Sequence, residues 1–167
     1  MKVDIRIAGS VYAAAIADLN RPHPFAAERV GFISTAIGKI SSRQVLLLAH
    51  DYSSVPDDHY VHDPRTGACI GSNAIRASLQ RVLSAGAGQL HVHIHDHYGQ
   101  PGPSATDLRD MPPLIKSLSV TGPNCAHGAI IFSRDRAWAQ VTLPGSPYLV
   151  EAASVTVIGF PLLFLKR

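Results

Sequence analysis

The sequence predicts a single α/β domain, spanning residues 1–167, in which helices flank a mixed β-sheet. Three observations lead to this fold class. Short apolar runs with the two-residue alternation of strands are interspersed with segments of helical periodicity. The composition, 46% hydrophobic and 16% charged, is that of a folded chain rather than a disordered one. No internal repeat and no linker-like stretch divides the 167 residues, so we expect one hydrophobic core.

The N-terminal half is expected to contain one strand, one helix and then two neighbouring strands. Apolar alternation in KVDIRIAG predicts the first strand, and SVYAAAIADLN predicts a short helix that ends at the breaker NRPHP. The runs AERVGFISTAIG and RQVLLLAHDYSSV predict two strands around the polar turn KISS. The segment from Pro56 to Gly71 is expected to be a loop with room for one short strand.

The C-terminal half is expected to begin with a helix and to complete the sheet. SNAIRASLQRVLSAG has helical periodicity, with Ser72 or Asn73 as its N-cap and Gly86 as its end. SATDLRDM opens another helix, which Pro112 and Pro113 should interrupt or end. HGAIIFS, AWAQVTL and SVTVIGF predict three closing strands.

Charge and cysteine content argue against several classes of function. The net charge is +3 and the basic residues are scattered, so no patch for nucleic acid or anionic lipid is visible. Cys69 and Cys125 form no CxxC pair, which argues against a Cys-based zinc site and a disulfide scaffold and favours a reducing cytoplasm. The N-terminus lacks the apolar core of a signal peptide. The apolar C-terminal run, AASVTVIGFPLLFL, is shorter than the roughly 20 residues of a membrane span, so we expect it to form a buried strand or two. With the cysteine content, this favours a cytoplasmic protein.

Four histidines, at positions 91, 93, 95 and 97, occupy every second position of the stretch LHVHIHDHYG. On a strand, residues i and i+2 share a face, so an HxH pair presents two imidazoles together, with the intervening apolar residues facing away. A carboxylate one turn into the following helix could supply a third ligand to zinc. A nearby Glu would then deprotonate the bound water, and a hydroxyl would stabilise the developing oxyanion. The alternative is that the histidines are only polar surface.

Ser104 and Asp107 stand three residues apart at the predicted start of the second of these helices. This is the spacing of a capping box, which by itself explains both residues structurally. An HxH pair followed by SxxD at this separation also suits a zinc hydrolase. From the residues alone, a polar surface and a metal site both stay open.

Together with the upstream stretch PFAAERVGFISTA, the motif resembles the signature of the JAMM (Jab/MPN) zinc metalloproteases. That signature is a Glu followed by HxH, about seven residues, and SxxD. Glu28 and Gly31 match its Glu-x-x-Gly segment, and HDHYG resembles its HSHPG. The match runs from Glu28 to Asp110, and HGAIIFSRDRAWAQV resembles the strand pair that follows the active-site helix in prokaryotic members. The resemblance implies a single MPN/JAB-type domain of cytidine-deaminase-like architecture.

The same resemblance implies a role for each matched residue. Glu28 would be the general acid/base, although a Glu before a strand is often only a surface carboxylate. Asp107 and two of the histidines would bind one Zn²⁺ per chain, with water as the fourth ligand. Ser104 would supply the hydroxyl that polarises the oxyanion.

The spacer leaves the histidine pair open. Six residues separate Ser104 from His97 and eight separate it from His95, against about seven in the family. We prefer His95 and His97 as the zinc ligands, because Asp96 between them is polar, like the Ser or Thr usual at that position. His93 is the alternative ligand if the pair is His93 and His95.

The resemblance also implies a reaction and partners. JAMM enzymes hydrolyse the isopeptide or peptide bond after the C-terminal glycine of a ubiquitin-like protein, either to mature it or to deconjugate it. Prokaryotic relatives accompany such modifiers with their activating and conjugating enzymes, some in bacterial antiviral operons. The alternatives are an inactive MPN-type scaffold and a hydrolase acting on a sulfur-carrier protein. We expect no nucleic-acid or membrane partner, leave a homodimer open, and expect structural roles for His62 and His127.

Overall fold

Nine strands and three α-helices make up the part of the chain that the structure describes. This computed structural model describes residues 1–41, 43–159 and 161–166, with every side chain among them except those of Lys39 and Ile40. All nine strands belong to one mixed sheet. The α/β class, with a mixed sheet flanked by helices, is thus confirmed.

The sheet has the strand order β7-β6-β5-β4-β2-β3-β1-β8-β9. The strands are β1 (Lys2–Ala8), β2 (Val30–Ser41), β3 (Gln44–Ser54), β4 (Gly88–Ile94), β5 (His127–Phe132), β6 (Ala137–Thr142), β7 (Leu149–Glu151), β8 (Ser154–Ile158) and β9 (Leu163–Lys166). The helices are α1 (Gly9–Leu19), α2 (Ser72–Ala85) and α3 (Ala105–Thr121). The pairs β1–β3, β1–β8 and β4–β5 are parallel, and the other pairs are antiparallel.

The N-terminal elements lie where the sequence predicts them, but the loops differ in detail. Strand β2 continues through Ser41, so the KISS segment is mostly strand rather than turn. Its last residue, Ser42, lies outside the described residues, as does Phe160 at the end of SVTVIGF. The loop from Pro56 to Gly71 contains a short 3-10 turn and a single bridge that joins Tyr60 to Ile70.

Helix α2 begins one residue earlier than expected. Its N-cap is Gly71, and Ser72 and Asn73 are already helical and make no side-chain cap, so that prediction was wrong. The N–H of Gly71 donates to the carbonyl of His59 at 2.7 Å, which holds the entry to the helix at this residue. At the other end Gly86 adopts the left-handed conformation at φ 59°, as predicted for a C-terminal glycine.

Helix α3 runs unbroken through Pro112 and Pro113, contrary to the prediction of an interruption. The prolines lie on the exposed side, so water can solvate the carbonyls that lose an intrahelical partner. The opposite side of the helix buries Met111, Ile115 and Leu118. Burial of this apolar stripe offsets the cost of the prolines.

The sheet is covered differently on its two faces. One face packs on α1 in a core that contains residues of both β1 and β6, so the sheet curls around this helix. The other face carries Phe32 on β2 and Ala129 on β5, and α2 and α3 pack against it. Strand β4 lies between β2 and β5, and its residues Leu90 and Val92 face the α1 core. The histidines therefore face α2 and α3, as the alternation predicts.

A glycine at the start of β4 allows this strand to pack closely against its neighbours on both sides. A Cβ added at Gly88 would lie 2.0 Å from the carbonyl oxygen of Ala126 and 2.6 Å from the hydroxyl of Thr35. Only a residue without a side chain fits between these neighbours. Among the helices of the described residues, none is long and apolar enough to cross a membrane.

Candidate metal centre

The candidate site lies in a cleft of about 540 Å³, at the place where β4 ends and α3 begins. His93 is the second-last residue of β4 and is 2% exposed. His95 follows the strand, and its backbone N–H donates to the carbonyl of Phe132 at 2.8 Å, which extends the strand pairing by one residue. Both side chains therefore keep the strand alternation and point to the same face.

The two imidazoles and the carboxylate of Asp107 converge on one point. The Nε2 atoms of His93 and His95 lie 3.1 Å apart. Asp107 Oδ1 lies 3.4 Å from His93 Nε2, and Asp107 Oδ2 lies 3.6 Å from His95 Nε2. Nδ1 of His93 is buried and has no partner within the described part of the chain, so Nε2 is the nitrogen turned to its neighbours.

These distances fit the donor set of a zinc ion. Ligand atoms at about 2.0–2.2 Å from a tetrahedral zinc lie roughly 3.3 Å from one another. The two distances from His93 Nε2, 3.1 Å to His95 Nε2 and 3.4 Å to Asp107 Oδ1, bracket that value. His95 Nε2 lies 3.6 Å from the other carboxylate oxygen, Oδ2. Glu28, His93 and His95 also form a group able to hold a metal ion, with one ligand atom of each within 4.8 Å of the others.

Asp107 contacts its neighbours with both oxygens. Its Oδ2 accepts hydrogen bonds from the backbone N–H and the hydroxyl of Ser104, both at 2.7 Å, and its own N–H donates to the Ser104 hydroxyl at 3.1 Å. The predicted capping box is therefore present. Burial opposes ionisation of Asp107, but the bonds from His93 and Ser104 outweigh it and hold the pKa of the carboxyl well below its usual range. An ionised carboxylate is the form that binds a metal.

The surroundings of His95 favour the neutral form of its imidazole. Burial, and then the proximity of His93, lower its pKa below the ordinary value of a histidine. A neutral imidazole keeps a lone pair on its free nitrogen, which is the form that coordinates metals.

His97 lies outside this cluster, so the preferred pair His95 and His97 is not the pair that converges. Its side chain is exposed, and its Nδ1 lies 2.9 Å from the carbonyl oxygen of Tyr98. The neighbouring Asp96 accepts a hydrogen bond from Arg134 at 2.6 Å. Strand β4 ends at Ile94, and beyond His95 the chain turns, so the alternation no longer applies. The alternative, His93, takes the place expected of His97.

Glu28 reaches the cleft from the loop before β2. The backbone N–H groups of Ala27 and Glu28 both donate to the carbonyl of Gly67, at 2.8 and 3.1 Å. A Cβ added at Gly67 would lie 3.0 Å from the carboxyl carbon of Glu28, so the absence of a side chain there makes room for this carboxylate. Glu28 forms no ion pair with either imidazole among the described contacts, and it is thus farther from them than Asp107.

The residue after Glu28 anchors the same loop. Arg29 is 2% exposed, and its guanidinium donates to the carbonyls of Arg21 and Pro22 and to the carboxylate of Asp57. The hydroxyl of Tyr60 accepts from the N–H of Val30 at 2.8 Å. Sequence reasoning did not find Gly67, Arg29 or Tyr60, because their contacts join segments that no local pattern connects.

The other singled-out histidines are placed as follows. His127 is fully buried, and its ring joins the N–H of Gln89 to the carbonyl of Gly122, at 3.1 and 3.0 Å. His62 is exposed and stacks edge-on against Phe25. Both have structural contacts and neither lines the cleft. His91 does line it, and burial, followed by the nearby His93, lowers the pKa of His91 to about 3.

No model of a known protein family matches this chain, and no curated protein matches it at a significant level. Any functional assignment therefore rests on the sequence motif and on the geometry of the cleft.

Proposed function

We propose that this chain is a zinc-dependent isopeptidase or peptidase of the JAMM (Jab/MPN) type. Its reaction would be hydrolysis of the bond after the C-terminal glycine of a ubiquitin-like protein, in maturation or deconjugation. The observation that carries the proposal is the convergence of His93, His95 and Asp107 with Glu28 beside them. The nine-stranded sheet is larger than that of the MPN fold, so the proposal concerns the site and a mixed α/β scaffold around it.

His93 and His95 would hold the zinc through Nε2, and Asp107 through Oδ1. The other oxygen of Asp107 stays bonded to Ser104, which keeps the carboxylate turned to the imidazoles. When bound, zinc would polarise the scissile carbonyl and lower the pKa of a coordinated water.

Glu28 is the proton carrier of the proposed reaction. Its carboxylate would take a proton from the attacking water and deliver it to the nitrogen of the leaving amine, which completes the hydrolysis without net proton loss. Ser104 would turn its one hydroxyl hydrogen from Asp107 Oδ2 to the oxyanion of the tetrahedral intermediate, while its backbone N–H keeps the bond to Oδ2. The bond from this hydroxyl to Asp107, at 2.7 Å, holds it beside the same cleft.

The proposed substrate is the extended tail of a ubiquitin-like protein, held by main-chain hydrogen bonds along the cleft. The further partners proposed are activating and conjugating enzymes of the same operon. Both cysteines are free, which suits our assignment of the protein to the cytoplasm. A sulfur-carrier protein ending in glycine would present the same bond and is the alternative substrate.

The zinc content of the purified protein tests the ligand set. We expect about one zinc per chain by elemental mass spectrometry, because three protein ligands plus water complete a catalytic zinc site. His93→Ala should lose the metal, whereas the matched variant His97→Ala, two positions beyond the pair, should retain it. Wild-type protein that holds no zinc after incubation with the metal would overturn the proposal. Loss of zinc in His97→Ala but not in His93→Ala would instead support His95 and His97 as the ligand pair.

Hydrolysis is tested on a ubiquitin-like protein fused through its terminal Gly-Gly to a reporter. Release of the reporter by the zinc-loaded protein, and none by His95→Ala, supports the isopeptidase. Stoichiometric zinc without any hydrolysis would instead identify a metal-binding scaffold.

A further inference from the structure

The four alternating histidines place their rings in one row that runs from the interior to the surface. Successive ring centroids, from His91 through His93 and His95 to His97, lie 5.6, 4.9 and 6.1 Å apart. The side chain of His93 is 2% exposed and that of His95 is 17% exposed, whereas His97 is an exposed residue. The two proposed zinc ligands therefore lie in the middle of the row, and His97 forms its outer end.

Backbone contacts hold His97 directly beside His95. The N–H of His97 donates to the carbonyl of His95 at 2.8 Å, which makes a tight turn immediately after the proposed ligand. The carbonyl of His97 accepts a hydrogen bond from the N–H of Arg134 at 2.9 Å, on the turn between β5 and β6. Because both backbone polar groups of His97 are bonded, its imidazole starts from a fixed position next to the zinc site.

The hydrogen bond of the His97 ring leaves its other nitrogen available to a metal. Nδ1 lies 2.9 Å from the carbonyl oxygen of Tyr98, and since a carbonyl only accepts, Nδ1 carries the hydrogen of the neutral ring. Nε2 then keeps its lone pair, which is the form of the nitrogen that coordinates zinc. The structure therefore presents an exposed imidazole ligand two residues beyond the buried pair.

A buried metal site needs an entry path. The Nε2 atoms of His93 and His95 lie 3.1 Å apart, and His93 is almost fully buried, so an ion must lose several waters before it binds both nitrogens. An exposed imidazole at the end of the same row can replace part of the water shell first. The remaining waters are then exchanged while the ion is already held beside the site.

We propose that His97 is an entry ligand for zinc, which binds the hydrated ion first through Nε2 and transfers it to His95 and His93. This inference rests on the zinc site of the proposed function and adds a loading step to it. His97 acts on the path to the site and is absent from the final ligand set. It therefore changes the rates of zinc uptake and release by the same factor and leaves the affinity for zinc unchanged.

The kinetics of zinc uptake test the inference without any turnover. Zinc-free protein is mixed in a stopped-flow instrument with zinc on a weak fluorescent indicator, and release is followed by adding excess chelator to the loaded protein. We expect both rates to fall by about tenfold in His97→Ala, because an ion held beside the site is present there at a high effective concentration. The zinc content at equilibrium, measured on the same samples, should equal that of wild type.

Two variants separate metal binding by His97 from its other contacts. His97→Asn can still donate a hydrogen bond to the Tyr98 carbonyl but has no imidazole nitrogen, so it should take up zinc as slowly as His97→Ala. His50→Ala, a change at an exposed histidine on β3, is the control and should load at the wild-type rate.

NMR titration of the histidine ring signals tests the entry position directly. In His93→Ala, which removes one of the final ligands, added zinc should shift the His97 ring signals at a lower zinc concentration than those of His50. The reason is that His95, whose ring centroid lies 6.1 Å from that of His97, can share the ion.

Equal uptake rates in wild type and His97→Ala, or fast uptake in His97→Asn, would overturn the inference, while a stoichiometric zinc content would keep the proposed ligand set. Zinc shifts no stronger at His97 than at His50, or loss of zinc from His97→Ala at equilibrium, would also overturn it. Wild-type protein that takes up no zinc would refute both proposals. Slowed uptake in a protein that cleaves no reporter fusion would refute the isopeptidase and leave the entry ligand standing.

Discussion

Asp107 shows how one carboxylate can belong to a helix end and to a candidate metal site at the same time. Its Oδ2 satisfies the start of α3 through Ser104, while its Oδ1 faces His93. The two explanations of the SxxD spacing, a capping box and a ligand set, are therefore compatible. Each contact also holds the Asp107 carboxylate in the orientation that the other contact needs, because few rotamers reach both neighbours.

Replacing Glu28 separates proton transfer from metal binding. Glu28→Gln keeps the size and the backbone contacts of the side chain but removes the base. We expect hydrolysis to fall by roughly 10²–10⁴-fold, with the zinc content and the unfolding transition unchanged. Steady-state assays and elemental analysis of the same sample measure both quantities. Full activity in Glu28→Gln would exclude this residue as the base.

Gly67 should affect turnover only by leaving room for the carboxylate of Glu28. An alanine Cβ would lie 3.0 Å from the carboxyl carbon of Glu28, and the carboxylate would have to move by a few tenths of an ångström. Gly67→Ala should therefore lower turnover roughly tenfold to a hundredfold, because small displacements of catalytic groups are costly, while zinc content stays constant. Gly38→Ala is the matched control, since its Cβ would make only ordinary contacts, the nearest at 3.7 Å. Equal activity in the two variants would contradict the positioning role.

At the scale of elements, α3 connects the stability of the fold to the geometry of the site. Ser104 is its N-cap, and Asp107 lies in its first turn. Its buried stripe of Met111, Ile115 and Leu118 holds it on the sheet. The helix keeps its direction through two prolines, so packing rather than intrinsic helix propensity positions the carboxylate.

Removing the N-cap hydroxyl should destabilise this element measurably. Ser104→Ala loses the bond from the N–H of Asp107, and we expect the free energy of unfolding of the zinc-free protein to fall by about 1 kcal/mol. Ser117→Ala, at an exposed position of the same helix, should change it by less than about 0.5 kcal/mol. Urea denaturation of both variants provides the measurement. Ser104→Thr should retain most of the stability, because it keeps the hydroxyl.

The elements that periodicity marks could be predicted from the sequence, and those that depend on distant contacts could not. Strand β9 begins in the apolar C-terminal run, where a buried strand or two was expected. Strand β7 is three residues long, too short for a recognisable alternation. Glu28 and Asp107 were predicted from the motif. That His93 rather than His97 lies beside His95 and Asp107 could not be predicted, because it depends on a contact with a distant segment. The N–H of His95 donates to the carbonyl of Phe132 on β5, and the chain turns after His95.

At the scale of the whole molecule, buried neutral histidines make the stability of the fold depend on pH. His91 and His127 both have a pKa lowered by burial, so the folded chain resists protonating them. The unfolded chain takes up these protons below its ordinary histidine pKa of about 6.5. Their stabilising contribution is therefore complete above that pH and is lost as the pH falls through it.

We expect the free energy of unfolding of zinc-free protein to fall between about pH 7 and pH 5, by up to about 1.4 kcal/mol per pH unit for each such histidine. His127→Gln should be less stable than wild type at pH 7, because it breaks the bridge between Gln89 and Gly122. The difference in free energy of unfolding between this variant and wild type should become smaller toward pH 5. The unfolded wild-type chain gains a proton on His127 there, and glutamine takes up none. Urea denaturation across the pH range measures this difference, and a constant deficit would contradict the account.

The central position of β4 also has a kinetic consequence. This strand lies between β2 and β5 with packed side chains on both faces, and such a strand opens only with the whole molecule. The third proposed ligand, Asp107, comes instead from the first turn of a helix, which frays far more often. A metal held in this way would leave through the helix end, with the imidazoles still in place. The rate at which a chelator removes it should then follow the opening of a single turn, and the emptied site should remain ready to refill.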